Sequence, residues 1–260
     1  MGNERFYALK YQNALHLWPK IDPKIVPVLF TDNDILTETA IENGWKVLPI
    51  PRKASNRQPY LKDMFVKVTE EFDSLFYGFA NADMLFDGTL VDTLICVGNK
   101  IVENSELMYN NLIIGQRRNL VVTVQKISTI GEVERLFISD STEFATNTQD
   151  YFITTRTGYP WKSLPYLVLG RPGIDNWIVY DANAKSVVVI DASKTVHALH
   201  QSSPEGHYNG FAQADADVNR MKFYNLGFNA NMGTTDCAEL ETESQLGIVA
   251  LIPKRNKICN

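Results

Sequence analysis

The chain predicts an α/β fold, a mainly parallel mixed sheet flanked by helices. Three observations carry this. Short apolar runs recur at 25–30, 45–50, 75–80 and 112–115, segments of helical period separate the first of them, and polar or glycine-containing loops bound most of them. Strands that alternate with helices need crossover connections, and those favour parallel pairing. With 260 residues the chain suits one large domain with an added tail.

The elements follow in order. Residues 6–18 place Tyr7, Tyr11, Ala14, Leu15 and Trp18 at three- and four-residue intervals, which predicts an amphipathic helix. The run 25–30 is a first buried strand that opens into Thr31-Asp32-Asn33-Asp34, and a helix over 35–43 stops at Gly44. A second strand spans 45–50, a polar loop 52–59, a second helix 61–72 and a third strand 75–80, which feeds Asn81-Ala82-Asp83. A helix over 88–97 and a strand over 112–115 lead into Gln116-Arg117-Arg118. Segment 119–150 is mixed and reads as a lid or insertion. Beyond it, 151–154 reads as a strand, and the glycine-rich stretch 170–173 precedes Asp175 and a helix over 176–182. Two more strands are expected at 186–190 and 195–199, the second closed by His200-Gln201. The last sixty residues are polar and end in the apolar run 246–252.

Composition narrows the function. A net charge of −5 offers no general attraction to polyanions, so broad nucleic-acid binding is not expected, while Arg117 and Arg118 leave room for a local diphosphate pocket. No run reaches the ~20 apolar residues of a membrane span. Cys96, Cys237 and Cys259 are odd in number and widely spaced, so neither a disulfide framework nor a zinc pattern is expected. The amino terminus lacks a signal-peptide core and no Asn-X-Ser/Thr acceptor occurs. Both favour the cytosol, with the Golgi lumen as the alternative if an amino-terminal anchor has been trimmed. No Walker A loop, Gly-X-Gly-X-X-Gly helix entry, Gly-X-Ser-X-Gly elbow or His-Glu-X-X-His occurs.

Five residues are candidates for chemistry. Asp83, directly after a buried strand, suits a Mg²⁺ or Mn²⁺ ligand bridging to phosphate, with Asn81 assisting; otherwise it is a turn or helix-cap aspartate. Asp175, after Gly170-Arg171-Pro172-Gly173-Ile174, suits a general base or an ordinary N-cap. Trp177 is either a stacking wall for a sugar or core, and core is the simpler reading. His197 and His200 lie three apart, so on a strand they face opposite ways and at most one shares a site with Asp83. His200, at the strand end, is the choice as second metal ligand.

The ordered set Gln12-Asn13-Ala14…Trp18, Val28-Leu29-Phe30-Thr31-Asp32, Asn56…Pro59, Asn81-Ala82-Asp83-Met84-Leu85-Phe86, Gly115-Gln116-Arg117-Arg118, Asp150-Tyr151-Phe152, Gly170 to Trp177 and Ile190-Asp191-Ala192…His200-Gln201 resembles the glycosyltransferase-like proteins of GT-A type. The resemblance implies a Rossmann-like nucleotide-sugar domain over 1–210, with 211–260 as an extension packed on it. By it, Asn81-Ala82-Asp83 stands where such enzymes carry an Asp-X-Asp metal motif, with Asn81 replacing the first acid. Asp175 matches the catalytic base, His200 the late metal histidine, and Thr31 and Asp32 the loop that holds base and ribose. The implied activity is sugar transfer, by inversion, from a nucleoside diphosphate sugar, a UDP-sugar by preference, to an unidentified hydroxyl acceptor, with Mn²⁺ or Mg²⁺ on the diphosphate. Two rivals stand beside it. One is a non-catalytic carbohydrate- or protein-binding module. The other is a sugar-nucleotide nucleotidyltransferase, whose glycine-rich, lysine-containing loop Thr31-Asp32-Asn33-Asp34 lacks.

Overall fold

Residues 2–55, 57–121, 125–201, 211–224, 226–257 and 259 are described in a computed structural model, with the backbone alone for 2–8. Asn56, the 122–124 part of the expected insertion and 202–210 lie outside the described residues. The first third of the chain runs α1 (Gly2–Leu17), β1 (Val28–Phe30), α2 (Asp34–Glu42), β2 (Lys46–Leu48), α3 (Leu61–Glu71), β3 (Phe76–Ala80) and β4 (Met84–Leu85). Next come α4 (Thr89–Glu103), α5 (Ser105–Tyr109), β5 (Asn111–Ile114), β6 (Arg118–Leu120), α6 (Ile130–Ser139), β7 (Ser141–Glu143) and β8 (Tyr151–Thr155). The rest is α7 (Ile174–Ala184), β9 (Val188–Asp191), β10 (Leu199–His200), α8 (Val218–Tyr224), β11 (Leu240–Gln245) and β12 (Ile248–Pro253).

The large sheet has the order β12-β11-β9-β5-β8-β3. Within it β5, β9 and β11 run parallel, β8 lies antiparallel between β5 and β3, and β12 closes the other edge antiparallel to β11. The sheet is therefore mixed, as expected. Side chains alternate between its faces. Leu112 and Ile114 face Leu61 and Phe65 of α3 and Trp177, Ile178 and Ala182 of α7, whereas Ile113 and Ile190 face Val97 and Ile101 of α4. Helices thus cover both faces, which is why β5 is an unbroken apolar run after Asn111.

A second sheet has the order β4-β10-β6-β7. β1 and β2 pair in parallel as a third, two-stranded sheet. No helix among the described residues is long and apolar enough to cross a membrane.

Several expectations change. The strand expected at 195–199 is only Leu199–His200, because Thr195 is buried in side-chain bonds to Thr93 and Thr242 and its amide closes a turn onto Ala192. The helix expected over 88–97 runs on to Glu103, past Gly98, which packs close against Leu75 and Phe76. Segment 119–150 holds regular structure: α6 starts with a reciprocal capping box of Thr129 and Glu132, and β6 pairs with β7. The stretch after 210 contributes β11 to the large sheet, and Cys237 is bonded to Cys259, 22 residues on. That pairing was not expected, since nothing in the spacing of three cysteines announces which two meet.

The helical period of 6–18 is observed, and Ala14 and Leu15 are buried as expected, but the buried face is wider than the apolar spacing shows. Lys10, Asn13, Ala14 and Leu17 point inward and Tyr11 is exposed. Two of those four are polar, so a count of apolar spacing passes them over.

Candidate functional site

The register of the large sheet gathers one edge. Ala80 pairs with Tyr151, Ile114 with Phe152, and Ile114 with Asp191, so the carboxyl ends of β3, β5 and β9 meet the amino end of β8. Ligands of open α/β sheets bind beyond such carboxyl ends. Asn81 directly follows β3, Asp150 directly precedes β8, and Arg117 lies three residues beyond β5.

Asp150 is the hub of this edge. Its backbone carbonyl accepts from the Asn81 amide at 2.9 Å, one carboxylate oxygen accepts from Asn81 Nδ2 at 2.7 Å, and the other binds the Arg117 guanidinium. Both members of the ion pair are buried. Asp175, the second residue of α7, faces the same pair. Burial, and then the negative charge of Asp150, push its carboxyl up from 3.8 to about 7, against the opposing pull of Arg117. The helix dipole favours its ionised form only in part. Gly173 starts α7 with a left-handed φ of 92° and makes no side-chain cap, and Asn176 ties the turn down by donating to the carbonyls of Asn147 and Gly233. Asp175 is therefore not the N-cap of its helix.

A second cluster lies two residues beyond Asn81. Asp83 Oδ2 receives the Lys10 ammonium at 2.7 Å, and His200 Nε2 lies 3.4 Å from the same oxygen. His200 is brought there by β10, which pairs antiparallel with Met84 of β4. Burial would raise the Asp83 carboxyl, but the hydrogen bond and charge of His200, with the charge of Lys10, hold it well below the usual carboxylate range. The fully buried Gln201 closes the network. Its Nε2 donates to the Lys10 and Asp83 carbonyls, and its Oε1 accepts from Asn13. Trp18 Nε1 donates to the Met84 carbonyl, so α1 is docked on this turn along one face.

The remaining candidates separate. Arg118 points away from Arg117, bonds Ser141 and Glu143, and stacks over Phe137, as strand alternation requires. His197 bonds Asp87 at 2.6 Å and stacks on Phe137, on a different face from His200. Trp177 lies in the core, stacked on Phe223. Thr31 and Asp32 follow β1. Thr31 Oγ1 accepts from the Asn33 amide, and Asp32 accepts from the Ile50 amide and pairs with Lys53.

The donors at Asp83 do not fit a divalent cation as arranged. Its Oδ2 already holds an ammonium, and Asn81 directs its amide NH₂ at Asp150. At an effective dielectric of about 20, a dication and an ammonium about 4 Å apart repel by about 8 kcal/mol. Among the described residues no group of three or more His, Cys, Asp or Glu side chains is placed to hold a metal ion. Asp83 and His200 as arranged therefore do not suit the Mn²⁺ or Mg²⁺ expected there.

Lys10, Asn13, Asp150 and Gln201 complete these clusters without being site candidates in the sequence. Asp150 carried a usable signal, an acid directly before an apolar strand; Lys10 carried none, since a lysine in an amphipathic helix is ordinarily solvated.

No family model matches the chain, and no curated protein matches it. One solved structure that is similar is the crystal structure of HddC from Yersinia pseudotuberculosis, 11% identical over 78% of this chain and 82% of that one, with a TM-score of 0.34. A likeness that slight carries no argument about fold or function.

Proposed function

We propose that the protein transfers a sugar from a nucleoside diphosphate sugar, a UDP-sugar by preference, to a hydroxyl acceptor. The feature that carries this reading is the place of Asp175 at the start of α7, within electrostatic reach of the buried Asp150–Arg117 pair at the carboxyl edge of a largely parallel sheet, with burial and Asp150 pushing its carboxyl up to about 7. A base of that strength is matched to taking a proton near neutral pH. As the acceptor oxygen attacks the anomeric carbon, its proton passes to Asp175, the bond to the phosphate oxygen breaks, and the diphosphate leaves with the electron pair. A single displacement of this kind inverts the anomeric centre. Arg117, oriented by Asp150, offsets the charge that develops on the leaving group. Arg118 is turned away and is given no part. Thr31 and Asp32, beyond β1, are assigned to the base and ribose by the family resemblance.

One observation favours a second reading, a non-catalytic carbohydrate- or protein-binding platform. Asp83 and Asp150 are each neutralised by a cation of the chain itself, so the edge is electrostatically satisfied without a ligand. The Cys237–Cys259 bond supports an oxidising compartment, such as the Golgi lumen, over the cytosol.

A thermal-shift panel of UDP, GDP, CDP and their common sugars decides between the two, because a ligand that binds only the folded chain raises its melting temperature. The transferase reading expects one nucleotide class to stabilise the protein. No shift with any of them would favour the platform.

A further inference from the structure

We propose that Lys10 takes the place of the divalent cation at Asp83, so that the protein engages a nucleoside diphosphate without metal. This rests on the nucleotide-sugar reading above and deepens it.

Lys10 is a charged residue on the inward face of a helix, and its side chain is only 6% exposed. A lysine is rarely buried unless paired. Here the pairing is specific: the ammonium meets Asp83 Oδ2 at 2.7 Å, and the Lys10 carbonyl is fixed by Gln201, whose other contacts reach Asp83 and Asn13. The ammonium is thus located from both ends. Its host is the one acid left in Asn81-Ala82-Asp83, a turn that follows a sheet edge of the kind on which phosphates bind.

The neighbouring residue agrees. A dication on a phosphate site takes one or two carboxylates with oxygen lone pairs to spare, yet the first position is Asn81, which is uncharged and spends its NH₂ on Asp150. The one acid, Asp83, already faces the Lys10 ammonium at 2.7 Å, with His200 Nε2 3.4 Å from the same oxygen, so the turn holds no further negative charge for a dication. Asp83 remains 17% exposed against 6% for Lys10, so the carboxylate side of the pair borders solvent. In this arrangement Asp83 aims the ammonium, and the ammonium and Arg117 share the charge of the diphosphate.

The test is calorimetric binding of UDP, GDP and CDP to the full chain, in EDTA and in Mn²⁺. Binding of Mn²⁺ alone, read by electron paramagnetic resonance, accompanies it. The wild type is expected to bind its preferred nucleotide within about twofold of the same affinity in both buffers and to leave the free Mn²⁺ signal unchanged. Lys10→Met should weaken nucleotide binding about tenfold or more in EDTA, the size of a lost charge-assisted contact. Lys10→Arg, which keeps the charge, should retain most of it, and its melting temperature controls for the docking of α1. Nucleotide binding that needs Mn²⁺ in the wild type, or that survives Lys10→Met unchanged, would overturn this inference alone. A wild type that binds none of the three nucleotides in either buffer would overturn the nucleotide-sugar reading and this inference with it.

Discussion

Asp175 is an acid whose neighbours oppose its ionisation, and this has consequences for both activity and stability. Asp175→Asn keeps the shape and removes the base. Transfer should fall by about 10²–10⁴-fold, while nucleotide affinity stays within about twofold, as steady-state kinetics and titration can check. For stability, the folded-state value of about 7 lies above the ordinary 3.8. Between those values the folded chain holds a proton that the unfolded chain has released, so stability declines as pH rises through this window. The substitution should flatten that decline and stabilise the protein at pH 8, with a ceiling of about 4 kcal/mol. Denaturant melts at pH 5 and pH 8 measure it; equal slopes for the two proteins would sink the assignment. Asp150 makes the opposite case. Asp150→Ala removes the buried carboxylate that pairs with Arg117 and should cost about 3–5 kcal/mol, whereas Arg117→Met combined with Asp150→Leu should recover most of that loss. Asp175 was legible in sequence because a glycine-rich turn led into it. The charged pair it faces, Asp150 and Arg117, lies 25 and 58 residues away in the chain, and no local pattern links them.

Elements were read best where apolar runs were long. The strands at 75–80, 112–115 and 151–154 and the helices at 61–72 and 176–182 all occur within a few residues of their expected ends. Misreadings came where polar contacts outweigh periodicity. The 195–199 run is apolar enough for a strand, yet Thr195 prefers bonds to Thr93 and Thr242 and only two residues reach the sheet. α1 shows the same effect, since Lys10 and Asn13 on its inward face follow the network at Asp83. At the other end of the chain, the disulfide closes residues 237–259 around the β11–β12 hairpin, with a separation of 22. Cross-linking a loop of that length stabilises by about 3 kcal/mol in the chain-entropy model. Cys259→Ser, or the wild type under dithiothreitol, should therefore melt earlier, while Cys96→Ser should not respond to reductant differently from wild type. Identical melting of Cys259→Ser and the oxidised wild type would argue that the pair adds nothing.

For the whole molecule, the α/β class followed from alternation and was legible throughout, but the division into three sheets was not. β1 pairs only with β2 among the described residues, and β4, β10, β6 and β7 form a sheet of their own. That second sheet is built from strands of two and three residues, too short to announce themselves. It nonetheless sets His200 beside Asp83, while the large sheet sets Asp150 beside Asn81 and Arg117. The two clusters adjoin because Asn81 and Asp83 belong to one turn, closed by the Met84 amide on the Asn81 carbonyl at 3.0 Å. One edge therefore carries an arginine, an ammonium and a carboxyl poised near neutrality. The most direct test of the account is the release of free nucleoside diphosphate from UDP-, GDP- and CDP-sugars by wild type and Asp175→Asn, followed by chromatography. The account predicts catalytic release from one donor class by the wild type and none above background by the variant, although the variant still binds that donor. Release by neither protein from any donor, or equal release by both, would contradict it.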